Sequence, residues 1–204
     1  MADFYFLNTG TNFHSGANWS FTDGGASANA VPAAADNIFF TLNSGSCVVG
    51  SGVTVTNATF TGFINAFILN ASFNVTNTIQ VNSGGINWTG STFGFTTRNF
   101  INLSGTGATS TLIAGLTYLV KEKYIRTSEK GSAHGKVISS TPGTKAILTI
   151  TGDTNIGYVD FTDIDASGGR ALYPFNGVVT NCNNIIPMTD KFWTNKTVAS
   201  SAIV

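Results

Sequence analysis

The feature that most constrains the fold is a period of two in the apolar residues, within a segment from residue 37 to residue 97 that contains no Asp, Glu, Lys or Arg. In the stretch SFNVTNTIQVN, apolar residues alternate with Asn, Thr and Gln from Phe73 to Val81. This alternation predicts a β-strand with one apolar face and one polar, uncharged face. Asn77 interrupts the apolar side, and we expect its amide to be hydrogen-bonded, in a turn or in the interior.

Strand-like segments recur at a spacing of about ten residues, which is typical of a sandwich or a solenoid. In a parallel stack each outward residue lies about 4.8 Å from its counterparts above and below. Like charges repel at that distance, whereas Asn, Thr and Ser can form hydrogen-bonded ladders. The sequence therefore predicts an all-β chain, built as a right-handed parallel β-helix-like solenoid. A β-sandwich or jelly roll stays as the alternative, although the Asn-Gly and Asp-Gly hairpin signals are absent between residues 37 and 115.

The composition agrees with a β-rich, turn-rich chain. Only 10% of the 204 residues are charged and 23 are Gly, against about 25% charged residues in an ordinary domain. We expect an N-terminal arm or cap at residues 1–36, a solenoid domain at 37–204, and a charged insertion within it at about 119–137. The formal net charge of zero argues against nucleic acid and anionic membranes as partners.

The start, MADFYFLNTG, has neither a basic n-region nor an apolar h-region, so we expect no secretory signal and no membrane span. The two cysteines, Cys47 and Cys182, are far apart in the sequence and are expected to be buried thiols. Two tryptophans, Trp19 and Trp88, are candidates for an aromatic platform that binds sugars. The stacked core is expected to contain Phe60, Phe63, Phe67, Phe73, Phe93, Phe95 and Phe100.

The one concentration of carboxylates lies at Asp160, Asp163 and Asp165. Three interpretations are open. The side chains cap backbone amides in turns, they form a weak Ca²⁺ site, or two of them act as an acid and base pair. His14 and His134 lie in Gly- and Ser-rich loops without a sequence pattern that would predict a catalytic triad. We predict no catalytic residues.

Two segments are predicted to contact partners. The first strand, DFYFL, is apolar on both faces, which favours contact with a neighbouring subunit. The charged segment at about 119–137 holds five of the ten Lys and Arg residues, and we expect it to reach a second partner. The predicted contact residues are Phe4, Tyr5, Phe6, Leu7, Lys121, Lys123, Arg126 and Lys130.

Two stretches resemble a known group. GANWSFTDGGASANAVPAAADNIFF resembles the opening of the Gly-, Ser- and Asn-rich β-solenoid repeats of bacteriophage virion structural and receptor-binding proteins, and TPGTKAILTITGDTNIGYVDFTDIDASGGRALYPFNGVVTNCNNI resembles the coil that closes them. The segment KEKYIRTSEKGSAHGK departs from that group. The matching residues of the closing coil are Tyr158, Val159, Phe161, Asp163, Gly168 and Gly169.

The resemblance implies a non-enzymatic component of the virion surface, assembled in the host cytoplasm. We expect a capsid decoration or cement protein that contacts other virion proteins, such as the major capsid protein, and forms a homo-oligomer, for example a trimer. The alternative is a tail-fibre or adhesin module that binds host surface glycans. A glycan lyase or hydrolase on the same scaffold is a third interpretation, which would need carboxylates in a groove.

Overall fold

The computed structural model describes residues 1–84, 86–104, 107–128 and 133–189. The chain is all-β, with 52% of residues in strands and 2% in helices, and its sheets are parallel. The predicted all-β class is therefore confirmed. The one described helical segment is a short 3₁₀ turn at Gly16–Asn18.

Sixteen strands, β1 to β16, are present in the described residues. They are β1 (Asp3–Phe6), β2 (Trp19–Ser20), β3 (Asn37–Phe40), β4 (Cys47–Val49), β5 (Val53–Phe63), β6 (Phe67–Leu69), β7 (Phe73–Gly84), β8 (Phe95–Asn102), β9 (Thr109–Leu112), β10 (Thr117–Thr127), β11 (Gly135–Ser139), β12 (Ala146–Ile150), β13 (Asp153–Gly157), β14 (Val159–Thr162), β15 (Ile164–Asp165) and β16 (Val179–Thr180).

The strands form three sheets. The main sheet has the order β15-β12-β10-β8-β7-β5-β3-β1-β2, with β13 also paired to β10. The order of the second sheet is β16-β14-β11-β9, and β4 pairs with β6 in the third. Apart from β1 with β2, the pairs that join these described strands are parallel. Parallel neighbours need a crossover, and the crossovers between main-sheet strands contain strands of the smaller sheets, as β4 does between β3 and β5.

The long strands bend in the middle. The register between β5 and β7 shifts after Val55, and the register between β7 and β8 shifts after Val75. On either side of this bend the predicted alternation holds, because Phe73 and Val75, then Ile79 and Val81, are buried. A period of two therefore describes each half of the strand but not the bend that joins them.

One hydrophobic cluster extends from Phe4 to Ile185. Parallel pairing places Phe40 directly beside Phe60, and their rings stack with centroids 4.9 Å apart and planes 9° apart. Six of the seven predicted core phenylalanines are buried: Phe60, Phe63, Phe67, Phe73, Phe95 and Phe100. The prediction was wrong for Phe93, which is 48% exposed in the connection before β8.

Residues 1–36 fold onto the end of the main sheet. β1 pairs in parallel with β3, and β2 then covers β1 in an antiparallel pair. Trp19 is fully buried against Phe6, Phe13 and Phe40, and its ring N–H donates to the carbonyl of Phe13 at 2.7 Å. Of the two arrangements expected for this segment, the contacts describe a cap.

These contacts correct the predicted interface at DFYFL. Phe4, Phe6 and Leu7 are 4%, 1% and 6% exposed within this chain, so their side chains cannot supply apolar area to a partner. Tyr5 is half-buried on the opposite face, where it stacks on Phe39. The strand is apolar on both sides because its inner face belongs to the core and its outer face carries this aromatic pair.

The charged segment is not an insertion over its described part. Residues 119–127 belong to β10, which pairs in parallel with β8 and β12, and β11 begins at Gly135. Lys121 and Lys123 are exposed, whereas Arg126 is 2% exposed and cannot contact a partner. Lys130 and residues 190–204 lie outside the described residues.

No helix in the described part of the chain is long and apolar enough to cross a membrane.

Candidate functional site

An asparagine ladder follows the bend on the outside of the main sheet. The Asn57 amide donates to Asn37 Oδ1 at 2.8 Å, and the Asn77 amide donates to Asn57 Oδ1 at 2.9 Å. Asn99 continues the ladder to Asn77 Oδ1 at 3.4 Å. The sequence separations are 20, 20 and 22 residues, so each amide comes from the next strand of the sheet.

All the ladder amides donate in one direction, towards the N-terminal end of the sheet. The Asn37 amide donates to the carboxylate of Asp3 at 2.7 Å, and a carboxylate can only accept. Asp3 therefore ends the ladder with a group that needs no further acceptor. Such a one-way chain of amides is mutually polarised.

The ladder also satisfies the backbone at the bend. Asn57 Oδ1 accepts a hydrogen bond from the N–H of Thr78 at 3.2 Å, next to the register shift. The predicted hydrogen bonding of Asn77 is thus present, but its side chain is exposed at the bend and does not point into the interior.

A shallow groove lies beside the ladder and is the candidate binding site. Its volume is about 340 Å³, within the range of ordinary ligand pockets. Side-chain amides and hydroxyls line one part of it, and apolar side chains line the other. The lining residues are Asn37, Phe39, Asn57, Thr59, Asn77, Thr78, Gln80 and Ile101.

An aromatic pair marks one end of this ladder groove. Tyr5 and Phe39 are register partners on β1 and β3, and their rings stack with centroids 4.8 Å apart and planes 17° apart. Both are half-buried. The predicted sugar platform at Trp19 or Trp88 was wrong, because these rings are 0% and 1% exposed.

A second depression lies across the bend and carries charge. It has a volume of about 490 Å³ and includes Arg98, Lys121 and Glu122 among its lining residues. Arg98 and Glu122 form an ion pair at 2.6 Å with both side chains about half exposed. Exposed pairs contribute little to stability, so this depression is a solvated surface. Of the cations that line it, Lys121 forms no ion pair with the described residues.

The three carboxylates considered for Ca²⁺ each accept backbone N–H groups. Asp160 accepts from Val178 at 2.9 Å, Asp163 from Gly143 at 2.9 Å, and Asp165 from Ser167 at 2.9 Å. The interpretation as a turn cap describes only Asp165, which accepts from the N–H two residues later, whereas Asp160 and Asp163 accept from residues 18 and 20 positions away in the sequence. Within residues 1–84, 86–104, 107–128 and 133–189, no group of three His, Cys, Asp or Glu side chains is placed to hold a metal ion.

Hydrogen bonds lower the pKa of two of these carboxyls. The Gly143 N–H, followed by the side chain of Asn181, lowers the pKa of Asp163. The hydroxyl and N–H of Ser167 lower the pKa of Asp165. A general acid needs a raised pKa, whereas the hydrogen bonds to Asp163 and Asp165 favour the charged, accepting form of each carboxylate.

Both histidines have partners that the sequence pattern did not indicate. His14 Nε2 lies 2.8 Å from the Ser51 hydroxyl, and His134 Nδ1 lies 2.7 Å from the Asp160 carboxylate. The partners are 37 and 26 residues away in sequence, which is why spacing could not find them. The serine and the aspartate contact different histidines, so these four residues do not form a triad.

Both thiols are free in the described chain, with Cys47 buried and Cys182 half-buried. Burial raises the pKa of the Cys47 thiol well above its usual range, as for a small apolar side chain in a core.

Comparison with family models, with curated proteins and with solved structures gave no match for this chain. The candidate site is therefore interpreted from its own geometry.

We expect Asn57→Ala to lower the free energy of unfolding by about 1–3 kcal/mol, because it removes an amide bonded to Asn37, Asn77 and the N–H of Thr78. Urea unfolding followed by circular dichroism measures the change. Asn74→Ala is the matched control, since Asn74 is exposed on the same sheet and should change stability by less than about 0.5 kcal/mol. Equal losses in the two variants would contradict the role given to the ladder.

The stability of the protein should fall at acid pH through Asp163. Its folded-state pKa lies below the unfolded value of about 3.9, so its contribution is present above that pH and is lost as pH falls through the folded-state pKa. Melting temperatures from pH 7 to pH 2 should show Asp163→Asn less stable than wild type at neutral pH and equal to it at the acid end. Asn tolerates the positive φ of 56° at this position.

The control for this titration is Asp153→Asn, which removes an exposed carboxylate paired with Arg170 and should cost little at any pH. A constant difference between Asp163→Asn and wild type over the whole pH range would show that the charge of Asp163 is not what stabilises the fold.

Proposed function

We propose that this chain is a non-enzymatic structural protein of a bacteriophage virion surface, built as a right-handed parallel β-helix-like solenoid. The observation that carries the proposal is the parallel strand pairing of the main sheet from β1 to β12, in which each strand pairs with the preceding strand of that sheet. Parallel crossovers are right-handed in about 98% of cases, which supports the handedness. The resemblance of residues 16–40 and 141–185 to phage β-solenoid repeats supports the location.

The most concrete form of the proposal is a capsid decoration or cement protein that is assembled in the host cytoplasm and contacts the major capsid protein. Its contact surface differs from the one predicted from DFYFL. Large apolar side chains are exposed in the connections after β3, β5 and β8, namely Leu42 at 68%, Ile64 at 71% and Leu103 at 48%. An exposed apolar patch is typical of a protein interface, and a Cβ placed on Gly62, two residues before Ile64, would lie 3.7 Å from Leu42 Cβ.

An oligomer such as a trimer fits the same proposal. The exposed lysines of β10, Lys121 and Lys123, are then available to a second subunit. Neither nucleic acid nor membrane is proposed as a partner, since the net charge is zero.

Replacement of both Leu42 and Ile64 by Gln should weaken binding to the parent virion by roughly tenfold or more, because burying each side chain contributes about 1.5–3 kcal/mol. Co-sedimentation of purified protein with particles that lack it measures the affinity. The matched control replaces Val178 and Ile186, which are 59% and 50% exposed, by Gln. Unchanged binding of the Leu42 and Ile64 variant would place the contact elsewhere.

A second candidate function is a tail-fibre or adhesin module that binds a host surface glycan. The specific observation in its favour is the ladder groove, whose lining carries no charged side chain. The ring of Phe39 offers an apolar face, and amides and hydroxyls beside it can exchange hydrogen bonds with sugar hydroxyls. This chemistry favours a neutral glycan over an acidic one.

Phe39→Ala should lower the affinity for a bound neutral glycan by about tenfold, equivalent to about 1.4 kcal/mol, through loss of the stacking surface. A glycan array identifies the ligand, and calorimetry on wild type, Phe39→Ala and the control Asn74→Ala measures the affinity. Binding that is insensitive to Phe39→Ala would exclude the groove as its site.

A further inference from the structure

The interior of the main sheet contains two polar positions where the rest of the column is apolar. Register pairing places Phe40, Phe60 and Val81 in line, then Asn102 and Arg126, then Ile156. Asn102 and Arg126 are each 2% exposed. A cation therefore lies inside a core that is hydrophobic on both sides along the stack.

The guanidinium of Arg126 is only partly satisfied. Its Nη2 donates to the carbonyl oxygens of Ala108 at 2.7 Å and Lys136 at 3.1 Å. Its Nε and Nη1 are buried and have no hydrogen-bond partner among the described residues. Two of the three donor nitrogens are thus removed from water without compensation, which is unusual in a folded protein.

The charge of Arg126 is also uncompensated in the described chain. The ion pairs there join Arg98 to Glu122 and Arg170 to Asp153, the His134 ring contacts Asp160, and none of these contacts includes Arg126. Burial lowers the pKa of the guanidinium, but an arginine does not lose its proton in a protein. A buried charge without a partner is strongly destabilising, so the folded state gains if an anion is present.

The surroundings of the guanidinium are polar and include small residues. Asn102 Nδ2 lies 3.5 Å from the hydroxyl oxygen of Ser110, and Ser110 is itself buried. The hydroxyl proton of Ser110 stays available to a further acceptor. Position 135 is a glycine, where a Cβ would lie 2.7 Å from the Ser128 hydroxyl oxygen and 3.5 Å from Arg126 Nη2, so the glycine lets the backbone of β11 approach the guanidinium closely.

We propose that Arg126 forms an interior binding site for one small inorganic anion of chloride size, which accepts hydrogen bonds from Nη1 and neutralises the guanidinium. The anion is a structural ligand that stabilises the fold between β8, β10 and β11. The site is separate from the ladder groove and is independent of the proposed function.

The first test compares melting temperatures in sodium chloride and sodium gluconate at equal ionic strength. A small-anion site raises the melting temperature with chloride, by roughly 3–6 °C for each tenfold rise in concentration above its Kd. Arg126→Met should fold and lose this dependence, because an apolar side chain of similar volume needs no counter-ion. Arg98→Met is the matched control, which removes an exposed arginine and should retain the dependence.

The second test does not depend on the folding of a variant. Crystals of the wild-type protein soaked in bromide should show an anomalous peak within about 3.5 Å of Arg126 Nη1. A wild-type melting temperature that is the same in both salts, or crystals without that peak, would overturn the proposal.

One competing source of negative charge can be distinguished directly. Glu129, three residues after Arg126 in the sequence, lies outside the described residues, and its carboxylate is the alternative counter-charge that the test addresses. If Glu129→Gln destabilises the protein while the wild type is indifferent to chloride, the counter-charge is a side chain and the anion site does not exist. If Glu129→Gln retains the chloride dependence, the free anion is supported.

Discussion

Parallel backbone pairing is the constraint on which the rest of this structure depends. When one strand lies beside the previous one in parallel and in register, each side chain lies about 4.8 Å from the equivalent side chain of its neighbour. Side chains that pack against, or hydrogen-bond to, an identical side chain are therefore favoured. The stack of Phe40 on Phe60 inside the sheet and the bond between Asn57 and Asn37 outside it are two results of the same spacing.

The same constraint accounts for where charge is permitted. Residues 37–97, which include Asn37, Asn57 and Asn77 of the ladder, contain no charged side chain. Where charges begin, neighbouring strands carry opposite signs. Arg98 on β8 pairs with Glu122 on β10, and Lys123 on β10 is in register with Asp153 on β13. In these two cases, charged side chains on neighbouring strands are placed beside a side chain of opposite sign, which avoids repulsion between like charges.

The bend in the long strands connects the scaffold to the candidate site. A register shift leaves backbone N–H groups without strand partners, and the amide of Asn57 accepts one of them from Thr78. Side-chain hydrogen bonds from Asn57 to Asn37 and from Asn77 to Asn57 extend this arrangement into the ladder, and the ladder forms one wall of the groove. The opposite wall consists of the outward residues beyond the bend, including Phe39, Gln80 and Ile101. The uncharged groove therefore results from the way the sheet bends.

The sequence by itself determined the all-β class, the burial of most phenylalanines and the occurrence of hydrogen-bonded ladders of uncharged residues, because these follow from local alternation and from side-chain chemistry. It did not determine which side chains meet across strands. Trp19 was mistaken for an exposed platform, Arg126 for a surface contact, and the pairs of His14 with Ser51 and of His134 with Asp160 were missed. Only the tertiary structure decided these. A shift of an odd number of residues moves the buried positions to the other parity, as from Val55 to Ala58 in β5, and contacts between strands join residues that are far apart in the sequence, a separation that no local pattern encodes.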